Sequence, residues 1–162
     1  MSALLEQLNE DMGEVVDRVG KSLVRVSVGG KGFGAGSVWH SDGLIITNAH
    51  VASGGSLRVT LPDGATLPAR LLAQDRERDL AALMVDAVGL PTIEIGSSRD
   101  LQPGQWVLAM GHPWGVKGAA TAGEVIGVGS ELPEMPRSRK EWIAVSLRLR
   151  PGYSGGPLID AN

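Results

Sequence analysis

The stretch Ser22-Leu23-Val24-Arg25-Val26-Ser27-Val28-Gly29-Gly30 sets the reading of this chain. Val24, Val26 and Val28 alternate with Arg25 and Ser27, the period-two pattern of a half-buried strand, and the paired glycines supply a turn at its end. The unit recurs downstream as candidate strands at 33–39, 43–47, 56–61, 66–74 and 80–85. Between them stand Ser41-Asp42-Gly43, Ser53-Gly54-Gly55 and Pro62-Asp63-Gly64, whose residues tolerate or preset turn conformations. Six short strands joined by such turns suit an antiparallel barrel or sandwich.

Upstream the period changes. Leu4, Leu5, Leu8, Met12, Val15, Val16 and Val19 recur at three- and four-residue steps, which predicts an amphipathic helix over residues 3–19 that packs on the rest of the fold. Gly20 stands where a left-handed C′ glycine would end it. A partner-binding helix is the alternative reading. Downstream, residues 86–104 hold Pro91 and Pro103 and read as a linker. Strands are predicted again at 105–110, 119–129, 141–147 and 157–160, with an exposed loop over 130–140. The expected organisation is a helix at 1–20, a first β unit at 21–95 and a second, with four strands against six, at 96–162.

Composition narrows the class. The chain has 162 residues with 23 glycines and 9 prolines, and glycine is about twice its usual ~7%. That argues against a helical bundle. The net charge of −3 gives no reason to expect nucleic acid or an anionic membrane as partner. There is no cysteine, so disulfides, thiolate chemistry and cysteine-based zinc sites are excluded. No apolar run approaches a membrane span of ~20 residues. Met1-Ser2-Ala3-Leu4-Leu5-Glu6 lacks the basic start of a signal peptide, which favours a cytoplasmic protein.

Chemistry concentrates at Gly152-Tyr153-Ser154-Gly155-Gly156-Pro157. A serine between glycines can present its hydroxyl on a tight turn with backbone N–H groups nearby. The pattern matches a nucleophile elbow, but that arrangement needs an acid and then a histidine downstream, and too little chain follows Ser154. The order His…Asp…Ser places the partners upstream instead. His50 ends the apolar stretch Ile45-Ile46-Thr47-Asn48-Ala49-His50, His40 reads as a turn residue, and His112 lies in the loop Gly111-His112-Pro113-Trp114-Gly115. No two histidines have metal-ligand spacing, and no cofactor motif is present. Asp79 closes a charged stretch and opens the apolar run Leu80-Ala81-Ala82-Leu83, so it can sit at a barrel rim. Each of these residues alone reads as structural; their combination is specific.

Thr47-Asn48-Ala49-His50-Val51, Asp79-Leu80-Ala81 and Pro151-Gly152-Tyr153-Ser154-Gly155-Gly156-Pro157 together resemble the three active-site motifs of trypsin-like serine proteases, and most closely the HtrA/Deg group. Phe33-Gly34-Ala35-Gly36-Ser37-Val38 and Gly111-His112-Pro113-Trp114-Gly115 resemble further signatures of that group. The resemblance implies an all-β, chymotrypsin-like fold of two six-stranded antiparallel barrels with the site between them. It implies Ser154 as nucleophile, His50 as general base, Asp79 as orienting acid, and the N–H groups of Gly152 and Ser154 as oxyanion hole. The implied reaction is hydrolysis of extended or unfolded polypeptide through an acyl-enzyme, without cofactor or metal, in protein quality control. An extracytoplasmic location and homo-oligomers also belong to the resemblance.

Two departures qualify it. Tyr153 stands where the group usually has Asn, and Arg148-Leu149-Arg150 makes the stretch before the serine turn unusually basic. Arg148, Leu149, Arg150 and Tyr153 are therefore the candidate substrate-binding residues, with the arginines expected to face solvent. The sequence also stops shortly after Ser154, where two further strands of the second barrel are expected, so that barrel is read as truncated. The rival class is a non-catalytic protease-fold binding module or holdase.

Overall fold

The computed structural model describes residues 2–130, 132 and 141–160. Helix α1 spans Ala3–Gly20. Six strands follow, β1 (Leu23–Val28), β2 (Lys31–His40), β3 (Leu44–Thr47), β4 (Leu57–Thr60), β5 (Thr66–Asp75) and β6 (Leu80–Val85). They close an antiparallel barrel in the order β1-β2-β3-β6-β5-β4. A segment without helix or strand, residues 86–105, leads to β7 (Trp106–Gly111), a 3-10 turn at Pro113–Gly115, β8 (Ala119–Gly129), β9 (Trp142–Val145) and β10 (Leu158–Asp160). These four form an open sheet in the order β10-β7-β8-β9. The ten strands fall where the turn and period-two signals put them. The exposed loop expected over 130–140 lies almost wholly outside the described residues.

The barrel closes because alternate residues of its strands bury together, with Leu67 and Ala69 of β5 packed partly buried against them. Val24, Val26, Val38, Ile45, Val59, Leu83 and Val85 form its interior. Each such side chain contributes about 1.5–3 kcal/mol of burial. Irregular register between Val38 and His40 and between Leu71 and Ala73 bends the long strands around this core. The opposite face of β1 and β2 is equally important. Leu23 and Ala35 point away from the barrel interior and meet Met110 of β7 in a second buried cluster, joined by Ile159 of β10. This seam places the serine-bearing turn beside the barrel.

The helix departs from expectation. Only Val16 and Val19, near its end, pack against the seam cluster. Leu4 is 79% exposed, and Leu5 and Leu8 are 50% exposed. An 18-residue helix is about 27 Å long, and the seam reaches only its last turns. Gly20 is not a left-handed cap either. It remains helical and is followed by Lys21 at φ −67°. Ser22 caps the helix instead, its N–H and hydroxyl each donating to the Val19 carbonyl at 3.0 Å. With the orphan carbonyl satisfied this way, no positive φ is needed. No described helix is long and apolar enough to cross a membrane.

Truncating Ile45, which is fully buried in the barrel, tests this account of the core. Ile45→Ala is expected to lower the unfolding free energy by about 2–5 kcal/mol in urea titration. Leu72→Ala, at a half-exposed position on β5, is expected to stay within about 0.5 kcal/mol of the parent.

Candidate active site

Strand pairing brings the first two residues together. In the β3–β6 ladder Thr47 faces Ala81. The strands are antiparallel, so the chain leaving Thr47 runs alongside the chain entering Leu80. His50 and Asp79, 29 residues apart, meet there. The Asp79 carboxylate accepts from the His50 backbone N–H at 2.9 Å and lies 2.7 Å from its Nδ1. A carboxylate only accepts, so Nδ1 carries a proton.

Asp79 holds this position in a left-handed backbone, φ +55°, which costs about 1–3 kcal/mol in a non-glycine residue. Asn48 opposes that strain by donating from Nδ2 to the Asp79 carbonyl at 2.8 Å. Gln74 donates to the Ala49 carbonyl at 3.0 Å and ties down the intervening turn. Partial burial pushes the Asp79 carboxyl up. The backbone N–H and ring of His50 and the Ala49 N–H outweigh it, so the carboxyl sits below its ordinary value.

Ser154 comes from the other sheet. Arg150-Pro151-Gly152-Tyr153 forms a turn in which the Tyr153 N–H donates to the Arg150 carbonyl at 3.2 Å. Proline at its second position and Gly152 at φ +108° give it type II character. The Ser154 carbonyl then accepts from the Ala35 N–H on β2 at 2.8 Å. Gly155, at φ +83°, presses its Cα against the Ala35 carbonyl and the Thr47 hydroxyl, where a Cβ would overlap both. Thr47 Oγ1 in turn donates to the Ala35 carbonyl at 2.7 Å. Behind the turn, β7 and its continuation hold on through Met110 N–H to the Pro157 carbonyl, 3.2 Å, and His112 N–H to the Gly152 carbonyl, 2.9 Å.

As a result His50 and Ser154 line one cleft of about 340 Å³, together with Gly34, Val51, Pro151 and Gly152. Among the described residues, neither the Gly152 N–H nor the Ser154 N–H donates to a protein acceptor. A slightly larger cavity of about 370 Å³ lies between the end of α1, residues 92–98 and β10, and contains none of His50, Asp79 or Ser154. It follows the unclosed side of the second sheet, whereas the smaller cleft holds His50 and Ser154.

Arg148, Leu149 and Arg150 are exposed and do not line the cleft. Arg150 lies over the Trp114 ring, 5.0 Å from its centroid. Tyr153 is half buried, with its ring beside Gly111 of β7. Sequence reasoning assigned no task to Asn48, Gln74 or the His112 backbone. Asn48 stands two residues before His50, but nothing in an asparagine announces a partner 31 residues away. Among the described residues, no three His, Asp or Glu side chains gather as a metal site.

A closed barrel carrying the His–Asp pair, with a serine turn docked on it from a second sheet, is the plan of a trypsin-like peptidase. The family described as trypsin-like peptidase domain matches residues 34–162, and the chain belongs to it, in the HtrA/Deg-like group. It is 40% identical over 136 residues to a Halomonas elongata protein named "Probable periplasmic serine endoprotease DegP-like", covering 82% of this chain and 28% of that one. It is 39% identical over 137 residues to "Protease Do-like 1, chloroplastic" of Arabidopsis thaliana, covering 82% and 31%. The solved structure "HtrA-type protease AlgW with tripeptide" superposes with a TM-score of 0.83 at 30% identity, over 92% of this chain and 50% of that one. The chain therefore spans less than a third of the length of these curated relatives.

Two stability measurements probe the geometry. Gly155→Ala adds a Cβ at a positive φ and against β2 and β3, so it is expected to lose at least the ~1–3 kcal/mol of backbone strain; an unchanged urea midpoint would contradict the close docking. For Asp79, the folded carboxyl titrates below its unfolded value. Its stabilisation is complete above the ordinary carboxylate value of ~3.9 and is lost as pH falls through the lower folded one. The stability gap between the parent and Asp79→Asn should accordingly narrow as the solution is acidified from about pH 6 to pH 3.

Proposed function

We propose that this chain carries the catalytic machinery of a serine endopeptidase, with His50 and Asp79 supplied by residues 21–95 and Ser154 by residues 96–162. The observation that carries the reading is the His50–Asp79 pair, 2.7 Å apart, sharing a cleft with Ser154. Asp79 engages Nδ1, so Nε2 is the atom that faces the chemistry. It takes the Ser154 proton as Oγ attacks the substrate carbonyl. The oxyanion accepts from the N–H groups of Gly152 and Ser154, each worth ~2.7–4 kcal/mol in the transition state. The imidazolium, stabilised by Asp79, gives its proton to the departing amine, leaving an acyl ester on Ser154. Water then attacks that ester by the same route, releasing the acid and restoring the hydroxyl.

The substrate is extended or unfolded polypeptide, bound by strand addition at a sheet edge, in HtrA-like quality control. Relatives named periplasmic support an extracytoplasmic setting. Homo-oligomeric assembly belongs to the same reading. The binding-module alternative draws support from one observation: Arg148, Leu149, Arg150 and Tyr153 do not wall the cleft.

Fluorophosphonate labelling of the full-length protein separates the two. Labelling is expected on Ser154, and Ser154→Ala should abolish it. Asp79→Asn should leave the geometry in place but reduce kcat by roughly 10⁴, because the imidazole loses its tautomer control. Labelling that survives loss of the Ser154 hydroxyl would overturn the assignment.

A further inference from the structure

His112 takes no part in this mechanism, yet it is 6% exposed and sits directly behind the oxyanion turn. Its backbone N–H donates to the Gly152 carbonyl at 2.9 Å. Its own carbonyl packs so closely on Gly152 that a Cβ there would fall 2.7 Å from the oxygen. His112 thereby fixes the peptide after Gly152 and, through it, the turn from which the Gly152 N–H emerges.

The ring is held as tightly as the backbone. Nδ1 accepts from the Gly118 N–H at 3.3 Å, closing the loop from 112 to 118 on itself. An accepting Nδ1 leaves the proton on Nε2, and the imidazole is neutral. Nε2 is buried without a hydrogen bond, as is Nε of Arg25 on β1. Both residues line a cavity of about 140 Å³ with Lys117. The charged groups facing His112 are thus Arg25 from β1 and Lys117 from its own loop. The β4–β5 side contributes Thr60, Leu61 and Pro62, and the end of α1 contributes Gly20, none of them acidic. A proton on Nδ1 would set donor against donor at Gly118 and add a third cation here. Burial, chiefly, and the two cations hold the imidazole below its ordinary value, against a smaller opposing effect of the Val24 carbonyl.

We propose that neutral His112 is a positioning residue for the oxyanion turn, and that its protonation releases the turn and silences the peptidase in acid. This rests on the reading of Gly152 as an oxyanion donor. The neutral ring latches the 112–118 loop, the loop backbone clamps Gly152, and the protonated ring breaks the latch. Two protonations then stop the reaction: one on the general base and one on His112.

The test is the acid limb of kcat/KM for the full-length protein, with each variant scaled to its own plateau. The parent limb should steepen from a slope of about one toward two as pH falls. His112→Asn, whose amide oxygen can accept from Gly118 but cannot take a proton, should keep a slope of one throughout. His112→Leu, with no acceptor, should lower kcat about tenfold at pH 8 while KM changes less than about twofold. This loss is a fraction of the ~10²-fold or more for removing an oxyanion donor. A His112→Asn limb as steep as the parent's, or full kcat in His112→Leu, would overturn the proposal. Should the variants not fold, ring and amide NMR of the parent decides. The Gly118 and Gly152 amides should shift in step with His112 protonation, and amides that stay still overturn it. Fluorophosphonate labelling at pH 8 keeps the two ideas apart. Its absence from Ser154 removes the peptidase reading, whereas intact labelling with an unchanged limb removes only the role of His112.

Discussion

The meeting of Ser154 with the His50–Asp79 pair depends on one backbone contact between the barrel and the serine turn: the Ala35 N–H donating to the Ser154 carbonyl. It can be short only because Gly155 has no side chain to hold the turn away from Ala35 and Thr47. Gly34 does the same from the barrel, where a Cβ would meet the Ser154 carbonyl and the Val51 side chain. The buried Leu23–Ala35–Met110 cluster lies under this contact and keeps water from competing for it. The serine turn is thus mounted on the wall of the first barrel, and its distance from His50 is set by the barrel's own geometry.

The barrel in turn supplies rigidity that the site consumes. Asp79 in a left-handed conformation is unfavourable taken alone, and so is Trp114 at φ +53° in the loop behind the Gly152 turn. Both persist where the surroundings over-determine them. Asp79 is bracketed by the β3–β6 ladder and by Asn48, and the Trp114 loop by the bonds of its neighbour His112. Backbone strain at these two places coincides with the carboxylate–imidazole pair and with the loop that backs the Gly152 turn.

Not all of the molecule is so tightly specified. The second sheet is open among the described residues, and the apolar residues of the first turns of α1 face solvent. The open side of the sheet borders the cavity between the end of α1, residues 92–98 and β10, which contains neither His50 nor Ser154. The site is therefore assembled by the closed barrel, β7 and the serine turn, and does not call on the helix tip.

What the sequence determined by itself was local and periodic. Alternation of Val24, Val26 and Val28, the Gly- and Asp-containing turns and the proline-rich linker placed all ten strands, because strand burial and turn chemistry are written in neighbouring residues. The triad candidates were legible because each sits in a short, unusual context. The family resemblance supplied their roles. Helix packing was not legible: the 3.6-residue pattern marks an apolar face but not how far the partner surface extends. Nor were the tasks of Asn48, Gln74 and His112, whose side chains act across 31, 25 and 6 residues. Arg150 is exposed, as expected, but its seat over the Trp114 ring was not legible. Such contacts depend on which strands close the barrel and which backbone atoms are left needing partners. That is decided only when the two sheets meet, since hydrogen bonding and burial act at ångström range and sequence separation does not limit them.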